Sequence, residues 1–188
     1  LGTHSMETVT QTFRNLSKNS LPKWSISMPK ATSINIYFEQ KVSDKKVVYF
    51  PSCITRSMGL NDVSKEEKQL FDVTVELLQK AGYQILFPQN IENLCCGMPF
   101  SSKGFKDAAS TKSAELEQAL LHISEYGEYP ILCDTSPCTK KMIESFSHKF
   151  DIYEPIEFTL EFLTKELEFK AIDEPITIHT TCSSRKIG

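Results

Sequence analysis

The feature that most constrains the fold is the alternation of short apolar runs with longer amphipathic segments from residue 46 onward. The runs are rich in β-branched and aromatic residues and are bounded by turn residues, a pattern that predicts buried strands. The predicted strands are KVVYF at 46–50, YQILF at 83–87, PILC at 130–133, DIYE at 151–154 and ITIHT at 176–180.

Each gap between the predicted strands contains a helical pattern. The first helix opens with a capping box, Ser64 and Glu67, and is expected to stop at Gly82. The second is expected over about residues 106–125, and the third and fourth each follow a proline, at 137 and at 155. The residues expected to share an apolar face are Leu70, Val73, Leu77 and Ala81, then Ala109, Leu116, Leu120 and Ile123, then Met142, Ile143 and Phe146, and finally Leu160, Leu163 and Leu167.

The alternation of strands and helices predicts the fold class. It requires crossover connections, which make a sheet parallel and place helices on both of its faces. We therefore expect an α/β fold with a doubly wound, mainly parallel sheet in a Rossmann-like or flavodoxin-like three-layer arrangement. The 188 residues suffice for one core. Residues 45–175 are assigned to this domain, and residues 1–44, which are polar and interrupted by Pro22 and Pro29, to a linker or tail.

Composition and charge exclude several classes of function. The net charge is -3 and the 21 Lys and Arg residues are scattered, so no nucleic-acid partner is expected. No apolar run reaches the roughly 20 residues of a transmembrane segment, and the first residues lack the apolar core of a signal peptide. We expect a cytoplasmic protein, at most peripheral to the inner membrane through a partner.

The six cysteines follow the predicted strands. Each lies at or just beyond the carboxyl end of a strand, and the loops at that edge of an open α/β sheet form its ligand-binding crevice. Cysteines that merely fill a core would not be expected to share one edge, so the placement predicts a common site. The residues are Cys53 after the first strand, Cys95 and Cys96 after the second, Cys133 and Cys138 at and after the third, and Cys182 after the fifth.

The residue types favour a thiolate metal site and leave some assignments open. Cys133 lies within the apolar run ILC and fits a small buried hydrophobe as well as a ligand. Cys95 and Cys96 precede Gly97, and a loop turned by that glycine can present both sulfurs to a polynuclear centre. Thiolates select zinc, copper(I) or iron in iron–sulfur clusters, and the absence of two C-x2-C pairs favours iron–sulfur over zinc. His179 is assigned no role.

Four segments resemble the cysteine-rich CCG domain family: FPSC at 50–53, CCGMPFSSKGF at 95–105, DTSPC at 134–138 and HTTCSSRKIG at 179–188. That family includes the cysteine-rich subunit of heterodisulfide reductase, the iron–sulfur subunit of glycolate oxidase and the carboxy-terminal part of FAD-linked, NAD-independent D-lactate dehydrogenases. The likeness is strongest to the D-lactate dehydrogenases. It implies a [4Fe–4S] cluster, cubane or noncubane, that relays electrons to a quinone or cytochrome after D-lactate is oxidised at FAD in a separate flavin domain.

The resemblance also implies roles for individual residues. Thr135 stands where the family has the first cysteine of C-x2-C, and Cys133 is the nearest substitute. Cys182, within residues 176–188, would open a second, truncated CCG repeat. The implied ligands are Cys53, Cys95, Cys96 and Cys138. The residues expected to tune the cluster potential through backbone amides and positive charge are Gly97, Lys103, Gly104 and Arg185.

Two other functions stay open at this point. One is a noncatalytic domain whose cysteines hold zinc or stay reduced while the domain docks a partner, and the other is a heterodisulfide-reductase-like subunit. The chain has no dinucleotide-binding glycine motif. Lactate oxidation is therefore expected only together with the flavin domain and a ferredoxin-like domain of the same enzyme.

Overall fold

The computed structural model describes residues 2–32, 34–60 and 68–187, which contain a parallel sheet and its connecting helices. The strands are β1 (Lys46–Phe50), β2 (Gln84–Leu86), β3 (Ile131–Cys133) and β4 (Ile152–Tyr153). The helices are α1 (Thr3–Leu16), α2 (Cys53–Ser57), α3 (Leu70–Lys80), α4 (Met98–Ser101), α5 (Lys106–Ile123), α6 (Ser136–Ser145), α7 (Pro155–Glu161) and α8 (Ser184–Ile187), with 3-10 turns at Ile91–Asn93 and Leu163–Lys165.

The sheet has the order β2-β1-β3-β4, and every neighbouring pair is parallel. The chain passes from β1 to β2 on one side and then crosses to the other side of β1 to form β3. Val48 consequently lies between Leu86 of β2 and Ile131 of β3 in the register. The predicted doubly wound parallel α/β fold is confirmed, and its strand order reverses between β1 and β3, where such sheets bind ligands.

The central strand β1 forms the middle of the core. Residues 47–50 are each at most 1% exposed, as expected for a strand covered on both faces. Leu116 and Leu120 of α5 and Met142 of α6 are fully buried in the same apolar cluster as Phe50. Full burial of each such side chain stabilises the fold by about 1.5–3 kcal/mol. This packing fixes α5 and α6 against the sheet and so positions the loops that precede them.

Contacts divide the chain into two compact units, Leu1–Ile34 with Ile54–Val73 and Asn35–Cys53 with Thr74–Gly188. In the first unit, Ala31 and Met58 form an antiparallel bridge. The Thr32 hydroxyl in the same unit donates to Gln69 Oε1 at 3.0 Å. The second unit contains the whole sheet.

Helix α1 lies within residues 1–44, which are predicted to be irregular. Thr8, Thr10 and Thr12 donate side-chain hydrogen bonds of 2.7–3.0 Å to carbonyl oxygens four residues earlier. Hydroxyl groups that usually compete with helix formation are thus satisfied within the helix itself. The assignment of residues 1–44 to a linker or tail stays a prediction.

The predicted fifth strand at 176–180 is wrong. These residues have no strand pairing and are all exposed, Ile176 by 72% and Ile178 by 82%. Alternating apolar residues form a strand only where a neighbouring strand accepts their backbone hydrogen bonds, and in the described part of the chain the sheet consists of β1–β4. Cys182 therefore does not follow a strand.

The first predicted helix is present as α3, and its predicted face is only partly buried. Ala81, just after the helix, is buried and Leu77 is half-buried, but Leu70 is 53% exposed and Val73 is 46% exposed. Both rows of apolar residues have helical spacing, so periodicity alone does not choose between them. The predicted capping box at 64–67 lies outside the described residues. The buried residues of α3 are Phe71, Val75 and Leu78.

The other three predicted helices are present as α5, α6 and α7. Helix α7 ends at Glu161, earlier than its pattern predicts, and Leu163 is buried in the following 3-10 turn. Leu160 and Ile143, predicted on buried faces, are 66% and 50% exposed. In the part of the chain that the structure describes, no helix combines the length and apolarity needed to cross a membrane.

Candidate metal centre

Loops at the carboxyl edge of the sheet carry five of the six cysteines. Cys53 opens α2 just after β1, and Cys95 and Cys96 lie between β2 and α4. Cys133 ends β3, and Cys138 lies in the first turn of α6, which begins with a proline in the position that suits a helix start. All the cysteines are reduced thiols.

Each of these five thiols interacts with the next, so the five form one continuous set. Cys53 interacts with Cys95, Cys95 with Cys96, Cys96 with Cys138, and Cys138 with Cys133. We name these five residues the thiol chain. Cys53 and Cys95 are half-buried, whereas Cys96, Cys138 and Cys133 are 1%, 7% and 0% exposed. The thiol chain thus runs from the surface into the core.

These contacts favour protonated thiols when no metal is bound. The neighbouring Cys95 thiol, and then burial, raise the pKa of Cys53 far above its usual range. The Cys138 and Cys95 thiols, with burial, do the same to the pKa of Cys96. The Cys133 thiol, with burial, raises the pKa of Cys138 to about 12. Because metals bind thiolates, binding must release these protons, and the metal affinity of the site should rise with pH.

Gly97 sets the turn of the CCG segment. Its φ of +84° lies in the left-handed region, where a side chain is disfavoured. A Cβ atom at this position would lie 2.4 Å from the backbone oxygen of Ala109 in α5. The Gly97 amide donates to Cys95 Sγ at 3.4 Å. Glycine therefore allows the CCG loop to pack directly on α5 and to give one sulfur a hydrogen bond.

Asp134 is not among the predicted site residues, yet it joins two of the loops. Its Oδ1 accepts hydrogen bonds from the Ser52 amide at 2.9 Å and from Thr135 Oγ1 at 3.0 Å. Its Oδ2 accepts from the Tyr49 hydroxyl at 2.9 Å. Burial, and then the Asp134 carboxylate, raise the pKa of Tyr49 far above its usual range, so the phenol remains a donor. Two sequence signals point to Asp134: its position directly after a buried strand and its place in the segment DTSPC.

Thr135, where the family pattern has a cysteine, directs its hydroxyl to oxygen atoms. Besides its bond to Asp134, Thr135 Oγ1 lies within hydrogen-bond distance of Ser52 Oγ, at 2.9 Å. Cys133, the predicted substitute, donates from its sulfur to the Thr135 carbonyl at 3.9 Å and lies within the apolar core. The structure therefore places Cys133 beneath the loop, in contact with Cys138.

The remaining predicted residues are exposed at the surface. Cys182 is exposed, and its segment contacts the start of α6 through the hydroxyls of Ser184 and Ser136, 2.9 Å apart. Arg185 Nε donates to Thr180 Oγ1 at 3.0 Å. A role for these residues in tuning a cluster stays a prediction. The residues predicted to tune the cluster that are exposed are one glycine, Gly104, and two cations, Lys103 and Arg185.

The donor set of the thiol chain fits a soft metal, since it consists of sulfur alone. Among the residues that the structure describes, no group of three or more His, Cys, Asp or Glu side chains is arranged to hold a metal ion. Neighbouring thiols are the donors that a polynuclear iron–sulfur cluster uses, with different irons taking different thiolates. The four predicted ligands, Cys53, Cys95, Cys96 and Cys138, all belong to the thiol chain.

The fold and the thiol chain together define a cysteine-rich α/β domain. The protein belongs to the CCG family of cysteine-rich domains. The family model matches residues 47–142, about half of the chain. This region contains all five members of the thiol chain, and the predicted family resemblance is confirmed.

A curated relative gives a more particular comparison. The chain is 27% identical over 153 residues to lactate utilization protein A of Macrococcus caseolyticus. The match covers 76% of this chain and 58% of the relative, so the chain spans less than two thirds of that protein's length. No solved structure matches the chain significantly.

Proposed function

We propose that this chain is an iron–sulfur-binding, electron-transfer domain of a lactate-oxidising system. The observation that carries the proposal is the thiol chain at the switch point of a parallel sheet, where such folds bind ligands. Its location within the CCG family match and the lactate utilization relative support the same assignment. A bound cluster would supply one-electron transfer.

Four thiolates would hold the cluster, which is the ligand number of an ordinary [4Fe–4S] centre. Cys53 and Cys95 are half-buried, so they bring one side of the site to the surface, where a redox partner can approach. Cys96 and Cys138 supply the buried side. Cys133 is assigned to packing, because it is fully buried in β3.

The finer proposal is a D-lactate dehydrogenase of the FAD-linked type. The strings VVYFPSC, CCGMPFSSKG and TCSSRK support it by their likeness to that group. Electrons would come from a flavin domain and pass, with a ferredoxin-like domain of the same enzyme, to a quinone or cytochrome. Cys182 would open a second CCG repeat. We place the protein in the cytoplasm, at most peripheral to the inner membrane, where thiols stay reduced.

Metal analysis of the purified chain tests cluster binding. The chain is reconstituted anaerobically with iron and sulfide, and iron, acid-labile sulfide, zinc and the visible spectrum are measured. We expect a brown protein with about four irons per chain. A colourless protein that holds zinc, or no metal, would contradict the proposal.

Three variants test the ligand assignment. Cys96→Ser should lose the cluster, because it removes a buried thiolate. Cys182→Ser, the matched control, changes an exposed cysteine outside the thiol chain and should keep its iron. Cys133→Ala should also keep its iron. Loss of iron from both serine variants would indicate a general loss of structure instead of ligand removal.

Substrate choice is tested in the complete enzyme. Addition of D-lactate without oxygen should bleach the visible absorption of the cluster, and L-lactate should not. In the Cys96→Ser enzyme, D-lactate should still reduce the flavin, but electrons should no longer reach the acceptor. Bleaching by L-lactate alone would contradict the D-lactate assignment and leave cluster binding intact.

A further inference from the structure

Asp134 lies between the two ligand-bearing loops that border the switch point. It directly follows β3, and α6 with Cys138 begins two residues later. Through the Ser52 amide its carboxylate holds the loop after β1, whose next residue is Cys53. Ser52 follows β1 and Asp134 follows β3, so this bond joins the ends of two neighbouring strands that are 82 positions apart in the sequence.

The carboxylate is anchored from below as well. The Tyr49 side chain is fully buried, and its hydroxyl donates to Oδ2 while Oδ1 serves the two loops. A carboxylate that accepts three hydrogen bonds of 2.9–3.0 Å has a fixed orientation. It also places a negative charge within one residue of Cys133 and beside the amide that precedes Cys53.

On the basis of the proposed function, we infer that Asp134 is the positioning residue of the thiol site. It ties the Cys53 loop to the Cys138 loop, and it supplies a negative charge beside the cluster. The tie between the two loops exists without any metal, because its hydrogen bonds join protein atoms alone. The negative charge acts on the bound cluster, whose reduction potential depends on nearby charge and hydrogen bonds.

The positioning effect is measured in the full chain without metal. A short bifunctional thiol reagent, applied at alkaline pH because these thiols react slowly at neutral pH, links Cys53 to Cys138, and mass spectrometry quantifies the linked peptides. Asp134→Ala should lower the yield several-fold, because the bond to the Ser52 amide is lost. Asp134→Asn keeps an acceptor for that amide and should retain most of the yield.

The charge effect is measured in the reconstituted full chain by a potentiometric titration followed by electron paramagnetic resonance. Asp134→Asn removes a negative charge and should shift the potential in the positive direction. Tyr49→Phe removes a donor from the carboxylate and should shift the potential in the negative direction. A merely structural role would not give opposite shifts. Asp134→Ala should in addition weaken cluster retention about tenfold or more, as loss of an outer contact usually does.

Asp151→Asn is the matched control. Asp151 is exposed and precedes β4, at the opposite edge of the sheet, so the variant has the same net charge as Asp134→Asn. It should match the wild type in both measurements. A wild-type crosslinking yield in Asp134→Ala, or equal potentials in Asp134→Asn and Asp151→Asn, overturns the inference. If the wild-type chain binds no iron, the proposed function fails, and the crosslinking result still decides the positioning role by itself.

Discussion

Replacement of Gly97 by alanine tests how the CCG loop packs on α5. The φ of +84° makes any side chain at this position cost about 1–2 kcal/mol in the free energy of unfolding. The new Cβ would also lie 2.4 Å from the Ala109 backbone oxygen, and a backbone atom can only shift with its helix. Overpacking of this kind costs about 1–3 kcal/mol. We therefore expect Gly97→Ala to destabilise the chain by about 2–5 kcal/mol.

Gly104→Ala provides the matched control. Gly104 has the same φ of +84°, but a Cβ there meets no atom within 4 Å. This variant should lose only the conformational part, about 1–2 kcal/mol. Urea unfolding of both variants, followed by circular dichroism, measures the difference. A difference below about 0.5 kcal/mol, within the scatter of surface substitutions, would refute the proposed packing of Gly97 on α5.

Three further predictions concern thiol reactivity and stability. Because the pKa of Cys138 is raised to about 12, its alkylation should be slow at neutral pH and should become faster as the pH rises. The exposed Cys182 should react first. Peptide mass spectrometry of the chain after treatment with iodoacetamide checks this order. Ile131→Val should lower the free energy of unfolding in urea by about 1 kcal/mol, because this side chain is 0% exposed. Ile178→Val should hardly change it, because that side chain is 82% exposed. Equal losses would support the predicted strand at 176–180. Glu157→Ala should lower the free energy of unfolding by about 0.5–1 kcal/mol, since it removes one half of the capping box of α7. A urea midpoint equal to that of the wild type would contradict this expectation.

Local sequence patterns were sufficient for the fold class. The apolar runs at 46–50, 83–87, 130–133 and 151–154 each contain an observed strand, because buried parallel strands need short continuous apolar segments. Crossover helices between them impose parallel pairing. The same logic places most of the cysteines at one edge of the sheet, since the carboxyl ends of parallel strands lie together.

Patterns failed where burial depends on distant partners. Residues 176–180 alternate like a strand, but no neighbouring strand pairs with them. Helix α3 offers two apolar rows, and tertiary packing buried Phe71 of one row but left Leu70 and Val73 of the other row exposed. Both errors arise because hydrophobic periodicity describes one segment at a time, whereas strand pairing and side-chain burial each need a second segment.

The sequence by itself therefore determined which residue types reach the carboxyl edge of the sheet: thiols, a turn glycine and the residues around them. Only the tertiary structure decided which of them meet. It brought Cys53, Cys95, Cys96, Cys138 and Cys133 together in one thiol chain, left Cys182 outside it, and linked the loops through Asp134. The physical reason is that these contacts join residues far apart in the chain, and their geometry follows from strand order and helix packing, which no local pattern encodes.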